Sequence, residues 1–398
     1  MGILREIPPT AGFKMGLRDF LRLHPPGSLE GDFRRYLQLP YAAVTYSGTA
    51  ALYFILETMK KLSPKKTVVI PSFVCPLVAL AIVRAGLKIK VCDIKPDRFD
   101  FEEGQLKNIC QKDEDILAVI AVHLAGIPVD LRGIGEIIQK QNIFLIEDCA
   151  QALGAESKGK KVGTFGDFAF FSLCRGKGLT IYEGGVLVTP HAHHIPLLQE
   201  TIKNLQSQNF LSESLKILEL FGYAVFYRPC LFWSVFRLPQ KFWQSQGDQI
   251  RAMGEYYTTD FDIHCVSHFR KKLGHVLFLR LDREIAQQRQ KAQFYFKHLQ
   301  QPGLDMIQES VGSKAVYPYV SIIIKDLKKR QKIFRRLQKE GLGSSIIYVT
   351  TIDDYPYLKN VIAPQQNPHG RYLASHTLTL STSTFLTEKD LLRITQCF

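Results

Sequence analysis

The first half of the chain alternates between two hydrophobic rhythms. AAVTYS (residues 42–47), TVVIPS (67–72), KIKVCDI (88–94), ILAVIAVHL (116–124) and IFLIED (143–148) are short apolar runs rich in β-branched residues, and they predict strands. Between them SGTAALYFILETMKKL (47–62), PLVALAIVRAG (76–86, closed by Gly86) and LRGIGEIIQKQN (131–142) carry helical spacing and helix-ending residues. DFAFFSL (167–173) and GGVLVT (184–189) predict two more strands. Apolar strands that alternate with helices predict a mainly parallel sheet covered on both faces. Ahead of it, residues 1–28 read as an arm with a short helix, GLRDFLRL, ended by Pro25-Pro26, and EGDFRRYLQL follows as a second helix.

The pattern changes after residue 190. HAHHIPLLQETIKNL (191–205) predicts a helix, and residues 215–239, LKILELFGYAVFYRPCLFWSVFRLP, form a dense apolar and aromatic run. Glu219, Arg228, Pro229 and Arg237 interrupt it, so no stretch reaches the ~20 residues of a spanning helix. Two readings stay open: a buried helical hairpin or dimer contact, or an interfacial helix pair resting on a membrane. The last third predicts a long helix (277–300), a strand (315–325), and a basic helix over 326–343 with Leu327, Ile333, Phe334 and Leu337 on one face, stopped by Gly341 and Gly343. SSIIYV (344–349) predicts a strand, and TEKDLLRIT (387–395) a final helix. Two domains follow: 1–254, an arm and a large α/β domain with an apolar insert at about 210–240, and 255–398, a smaller α+β domain.

Composition narrows the classes. The chain has 398 residues, 46% hydrophobic, with a formal net charge of +14. Such a balance favours anionic partners such as phosphorylated substrates, an acidic membrane or nucleic acid. The basic helix carries no base-reading motif and looks like an ordinary solvated face, so nucleic acid is set aside. Eight scattered cysteines show no metal-ligand spacing and read as reduced thiols of a cytoplasmic protein, with membrane association entering only through 215–239. MGILREIPPTAGFKMG has no apolar core of a secretory signal, and Glu6 is a poor match to a myristoylation motif.

Four pieces sit at loops after strands, where open α/β sheets bind ligands. Ser47-Gly48-Thr49-Ala50-Ala51 opens a helix, where backbone N–H groups and the Thr49 hydroxyl can approach an anion; a simple N-cap is the plainer reading. Asp148 ends a strand and can hold a cationic ring nitrogen or cap a helix, with Gln151 just beyond as a donor. Ser172 can hold a phosphate. Lys177, between glycines five residues later, can act as a nucleophile toward an aldehyde. A phosphate, a protonatable ring nitrogen and an aldehyde describe pyridoxal 5′-phosphate (PLP).

These motifs, in this order, resemble the DegT/StrS family of PLP-dependent sugar aminotransferases over residues 30–190 and, more weakly, 280–398. The resemblance implies the aspartate aminotransferase (type I) fold, with a mainly parallel sheet between helices plus a smaller C-terminal α+β domain. It makes Lys177 the cofactor-bearing lysine and general base and acid. Asp148 becomes the partner of the pyridine nitrogen and Gln151 that of the phenolic oxygen. Thr49 and Ala50 become the phosphate-contacting turn, Ser172 a second phosphate ligand, and His123 a residue beside the cofactor or else a core histidine. It implies glutamate as amino donor, a nucleotide-linked keto sugar as acceptor, and a homodimer.

The chain departs from the family at three places. Cys75 stands where relatives place an aromatic on the cofactor ring, with Phe73 as the nearby substitute. The Asn-x-Arg element that reaches the partner subunit's phosphate is missing, leaving Arg270 and Lys271 as the nearest cations. The sugar-site histidines after 343 are absent, although Tyr348 remains. These departures keep open a lipid-linked or other non-nucleotide carbonyl substrate, and a non-catalytic, regulatory protein. A dehydratase of the same family is disfavoured, because those relatives lack the lysine.

Overall fold

A computed structural model describes residues 5–21 and 26–398. Its strands are β1 (Tyr41–Thr45), β2 (Thr67–Pro71), β3 (Lys88–Cys92), β4 (Ile116–Val122), β5 (Phe144–Asp148), β6 (Glu156–Ser157), β7 (Lys160–Lys161), β8 (Phe168–Ser172), β9 (Gly185–Thr189), β10 (Leu304–Met306), β11 (Ser313–Lys314), β12 (Tyr319–Ile324) and β13 (Thr377–Ser381). Seven of them form one sheet in the order β1-β9-β8-β5-β4-β2-β3. From β3 to β8 every pairing is parallel; β9 runs antiparallel to both β8 and β1. Every residue of β2 and β4 is buried, as continuous apolar strands between two helical layers should be. The helices Gly48–Leu62, Pro76–Arg84, Leu131–Ile138 and Ile195–Leu205 form where their spacing predicts them. Helices Glu103–Lys112 and Pro368–His376 lack a clear apolar period and escape the sequence reading.

A second sheet, β10-β12-β13, is antiparallel and packs with the helices Leu281–His298, Leu327–Lys339 and Pro368–His376, and the helix Glu388–Thr395 packs on Leu281–His298. The arm is tied to this part of the chain. Ile7 N–H bonds Gly341 O (3.0 Å), Ser381 Oγ–H bonds Pro8 O (2.6 Å), and Arg5 forks onto Asp390 (2.8 and 2.9 Å). Of the arm's predicted helix, Leu17–Leu21 is present; residues 22–25, with Pro25, lie outside the described residues.

Four expectations change. The long helix at 277–300 is two helices, His268–Phe278 and Leu281–His298. They break at Arg280, whose guanidinium is held by Asp19 (3.2 Å) and Lys14 O (3.1 Å). SSIIYV is not a strand. The Ser345 N–H goes to Thr379 Oγ1 (3.1 Å), leaving one isolated bridge, and its apolar residues mark burial rather than pairing. On the basic helix Ile333 and Leu337 are buried, but Leu327, in its first turn beyond the core, is exposed. Lastly, the 215–239 run is not a buried hairpin. Within the helix Phe210–Phe226 only Glu213, Leu220 and Tyr223 are buried, while Leu211 and Leu218 are 74% and 67% exposed. After a break at Arg228-Pro229, Leu231, Val235, Leu238 and Phe242 continue an exposed apolar stripe at helical spacing.

Candidate active site

The C-terminal ends of β4, β5 and β8 and the turn after β1 open onto one cavity of about 580 Å³. Its walls include Thr49, Cys75, His123, Asp148, Gln151, Ser172 and Lys177. The opening lies at the carboxyl edge of a parallel sheet, where strand ends and helix N-termini leave backbone groups unpaired.

The pleat of β5 separates two adjacent carboxylates. Glu147 turns inward and is fully buried. It accepts the N–H groups of Gly163 (2.8 Å), Phe165 (2.7 Å) and Gly166 (2.8 Å), and faces His123 Nε2 at 3.1 Å. Val129 N–H donates to His123 Nδ1 (3.2 Å), so the ring proton sits on Nε2 and points at Glu147. Both histidine nitrogens are therefore committed, and His123 offers the cavity a ring surface rather than a hydrogen bond. His123, Glu147 and Cys149 bring donor atoms within 4.8 Å of one another, but these bonds already occupy the first two.

Asp148 faces the other way. Its Oδ1 accepts Ala150 N–H (2.9 Å), and burial pushes its carboxyl up to about 6 against the pull of that N–H and of Lys177. A buried carboxylate held this high gains from a further cation, as a ring N–H⁺ would be. Gln151 has a defined orientation: its Oε1 accepts Ala125 N–H (2.9 Å) and Tyr319 O–H (2.7 Å), which leaves the amide NH₂ to donate.

The candidate anion cradle is built by close backbone approach. Ser47 Oγ caps the helix by accepting Ala50 N–H (3.0 Å). Ala50 is fully buried with its N–H spent, so Gly48 and Thr49, not Ala50, face the cavity. A Cβ on Gly185 would lie 2.3 Å from Ser47 O, so only glycine lets β9 pass that turn. Ser172 Oγ accepts Cys174 N–H (3.3 Å) and keeps its own proton to donate.

Lys177 sits on the loop joining β8 to β9. The loop is closed by Leu173 N–H to Gly184 O (2.7 Å) and Arg175 N–H to Tyr182 O (2.8 Å), with Gly176 at φ 73° and Tyr182 at φ 75°. The Lys177 ammonium makes no hydrogen bond or ion pair with the described residues, although it lines the cavity. The donor set fits PLP: a lysine, a buried acid, an amide donor, the Thr49 hydroxyl at a helix N-terminus and the Ser172 hydroxyl at the end of β8.

Phe73 does not line the cavity. It is 1% exposed and packs edge-on against Tyr348 at 5.3 Å, because its neighbour Cys75 takes the cavity-facing position. Burial pushes the Cys75 thiol up to about 12, so it stays neutral. Arg270 and Lys271 are also committed elsewhere. Fully buried Arg270 pairs with Glu213 (Nε to Oε2, 3.1 Å) and donates to the Glu183 carbonyl; Lys271 bonds Glu30 (2.7 Å). The sequence reading missed a whole wall, Tyr256, Tyr257, Thr258, Asp260 and Phe261, together with Arg175 and Glu183. The run EYYTTDF (255–261) was its only trace in the sequence.

A model of the DegT/DnrJ/EryC1/StrS aminotransferase family matches residues 26–223 and 268–398. The chain is 31% identical over 160 residues to GDP-perosamine synthase of Vibrio cholerae, covering 40% of this chain and 43% of that protein, so it spans under half of that curated relative. It is 26% identical over 354 residues to UDP-N-acetyl-3-dehydro-alpha-D-glucosamine 3-aminotransferase of Acidithiobacillus ferrooxidans, covering 87% and 80%. The fold matches that of the sugar aminotransferase CalS13 of Micromonospora echinospora, with a TM-score of 0.75, 98% of each chain covered and 19% identity.

Proposed function

The chain belongs to the DegT/DnrJ/EryC1/StrS aminotransferase family, and from that premise we propose that it is a PLP-dependent aminotransferase. In this reading it moves an amino group from an amino acid, glutamate, to a nucleotide-linked keto sugar in glycan biosynthesis. The observation that carries the reading is Lys177, unpaired, in one cavity with buried Asp148 and the Ser172–Thr49 cradle. PLP, when bound, supplies an electron sink for charge left at the carbon bearing the amine. The Asp148 carboxylate would hold the proton on the ring nitrogen. Gln151 Nε2 would donate to the phenolic oxygen, and the Thr49 and Ser172 hydroxyls would donate to the phosphate. Lys177 Nζ, once released from the cofactor, would take the proton from the donor's α carbon as base and hold it as an ammonium for return as acid. A net charge of +14 suits an acceptor carrying a diphosphate, and the two curated relatives are named for a GDP-linked and a UDP-linked sugar.

Absorbance tests this reading. The visible band of the lysine-bound cofactor should fade with glutamate and return with keto-sugar nucleotides, and Lys177→Ala should abolish it. A cofactor-loaded protein whose band glutamate never bleaches would favour a non-catalytic role.

The reading extends to two partners, a second copy of the chain and a membrane surface. The exposed stripe over 211–242 supports the membrane contact. Glu219, the only carboxylate in 215–239, is paired with Lys216 (3.0 Å), while Arg228 is exposed and in no ion pair among the described residues. Among the described residues no helix is long and apolar enough to cross a membrane, so the contact would be interfacial. Vesicles of phosphatidylserine and phosphatidylcholine should sediment the wild type and release Leu218→Asp/Leu238→Asp. Equal recovery in the supernatant refutes the contact, and a monomer in sedimentation equilibrium refutes the homodimer.

A further inference from the structure

The family model stops at residue 223 and resumes at 268. The intervening segment supplies a wall of the cavity that holds Lys177: Tyr256, Tyr257, Thr258, Asp260 and Phe261 line it beside Cys75 and Tyr348. The catalytic walls come from the parts of the chain matched by the family, and this one does not.

The wall is stapled at both ends. At its start, buried Glu255 accepts Val349 N–H (3.0 Å) and Tyr355 O–H (2.5 Å), and its carbonyl accepts Tyr357 O–H (2.5 Å). At its far end the Arg84 guanidinium lies 4.3 Å from the Phe261 ring centre and donates to the Phe261 carbonyl. Beyond it, His264 Nδ1 meets Ser207 Oγ at 2.8 Å. Tyr256 is braced between Arg251 (4.7 Å) and the Tyr357 ring (5.8 Å). Contacts to Val349, Tyr355, Tyr357, Arg84, Ser207 and Arg251 hold the stretch in place, which is how a fixed recognition surface is built, not a passing loop.

Its chemistry is two phenols, a hydroxyl, a carboxylate and a phenyl ring. A pyranose presents a C–H face that packs on an aromatic ring and hydroxyls that donate to a carboxylate. We infer that residues 256–261 are the acceptor-selecting wall, with Asp260 accepting hydroxyls of the keto-sugar ring and Tyr257 packing on its face. This rests on the keto-sugar reading above. It also accounts for a site that lacks the family's sugar-site histidines, because the recognising groups come from the segment that the family model leaves unmatched.

The two half-reactions separate acceptor recognition from the rest of catalysis. Asp260→Asn and Tyr257→Leu, loaded with PLP, are mixed in stopped flow first with glutamate and then with a panel of GDP- and UDP-linked 4-keto-6-deoxyhexoses. The glutamate step should stay within about twofold of wild type, which also reports correct folding. The acceptor kcat/KM should fall at least tenfold, through KM for Asp260→Asn. Unchanged acceptor kinetics, or equal losses in both steps, overturn the wall's role while leaving the aminotransferase intact. A wild type that reacts with glutamate but with no sugar of the panel refutes the keto-sugar reading, and the wall's assignment with it.

Discussion

Gly185→Ala tests the anion cradle at a position that touches no ligand. The added methyl would sit 2.3 Å from Ser47 O, 2.4 Å from Ser47 C and 2.6 Å from Gly48 N, all backbone atoms with no rotamer to yield. To reach even a 3.0 Å contact the turn must withdraw by about 0.7 Å. That shift moves the Gly48–Thr49 end of the cradle away from Ser172 while Asp148, Gln151 and Lys177 keep their supports. Overpacking of this kind costs ~1–3 kcal/mol of stability. Loss of one charge-assisted hydrogen bond to the phosphate costs ~1.5–3 kcal/mol, which corresponds to about a 10- to 150-fold rise in Kd. The assay is spectroscopic titration of the apoprotein with PLP and, in parallel, with pyridoxal, which lacks the phosphate. PLP should weaken by that factor and pyridoxal should not. Affinity for PLP within about twofold of wild type, or a parallel loss for pyridoxal, would refute the cradle.

Three further outcomes follow from buried groups. Arg270→Met strands Glu213 without its partner and should cost ~3–5 kcal/mol in denaturant unfolding; adding Glu213→Leu should recover part of that, and a simple sum of losses would show the pair to be uncoupled. Burial pushes the Glu255 carboxyl from 4.5 up to about 7, so the native state holds this proton longer than the unfolded chain. The stability it contributes is full below about 4.5 and is lost as pH rises through about 7. Glu255→Gln should therefore flatten the fall in Tm between pH 5 and pH 8, and an unchanged slope would assign that fall elsewhere. Asp148→Asn removes the charge that would hold the ring-nitrogen proton, and should shift the visible band of the bound cofactor and slow the glutamate step by at least tenfold at saturating PLP; an unchanged band would place the ring elsewhere.

Much of the candidate site's cavity lining was legible because it lies where elements change. Lys177, Asp148, Ser172 and Thr49 each follow a strand or open a helix, and local hydrophobic rhythm locates those boundaries. Errors arose where two neighbouring residues compete for one direction. Cys75 and not Phe73 faces the cavity, and Thr49 and not Ala50 faces the cradle. Asp148 remains available where Glu147 is enclosed by three N–H groups and an imidazole. Such choices depend on which backbone groups approach from segments far along the chain.

The apolar run shows the same division. Its density was plain in the sequence, but whether its side chains met the core or solvent depended on the surface left uncovered once the sheet and its helices had packed. By itself the sequence determined the alternation of strands and helices, the ordered motifs of the cofactor site and the basic charge, since these rest on local propensity and composition. Only the tertiary structure decided which polar groups were already satisfied, that Arg270 serves the interior, and that EYYTTDF forms a wall opposite Lys177. Those outcomes depend on contacts between segments up to hundreds of residues apart, which no local pattern encodes.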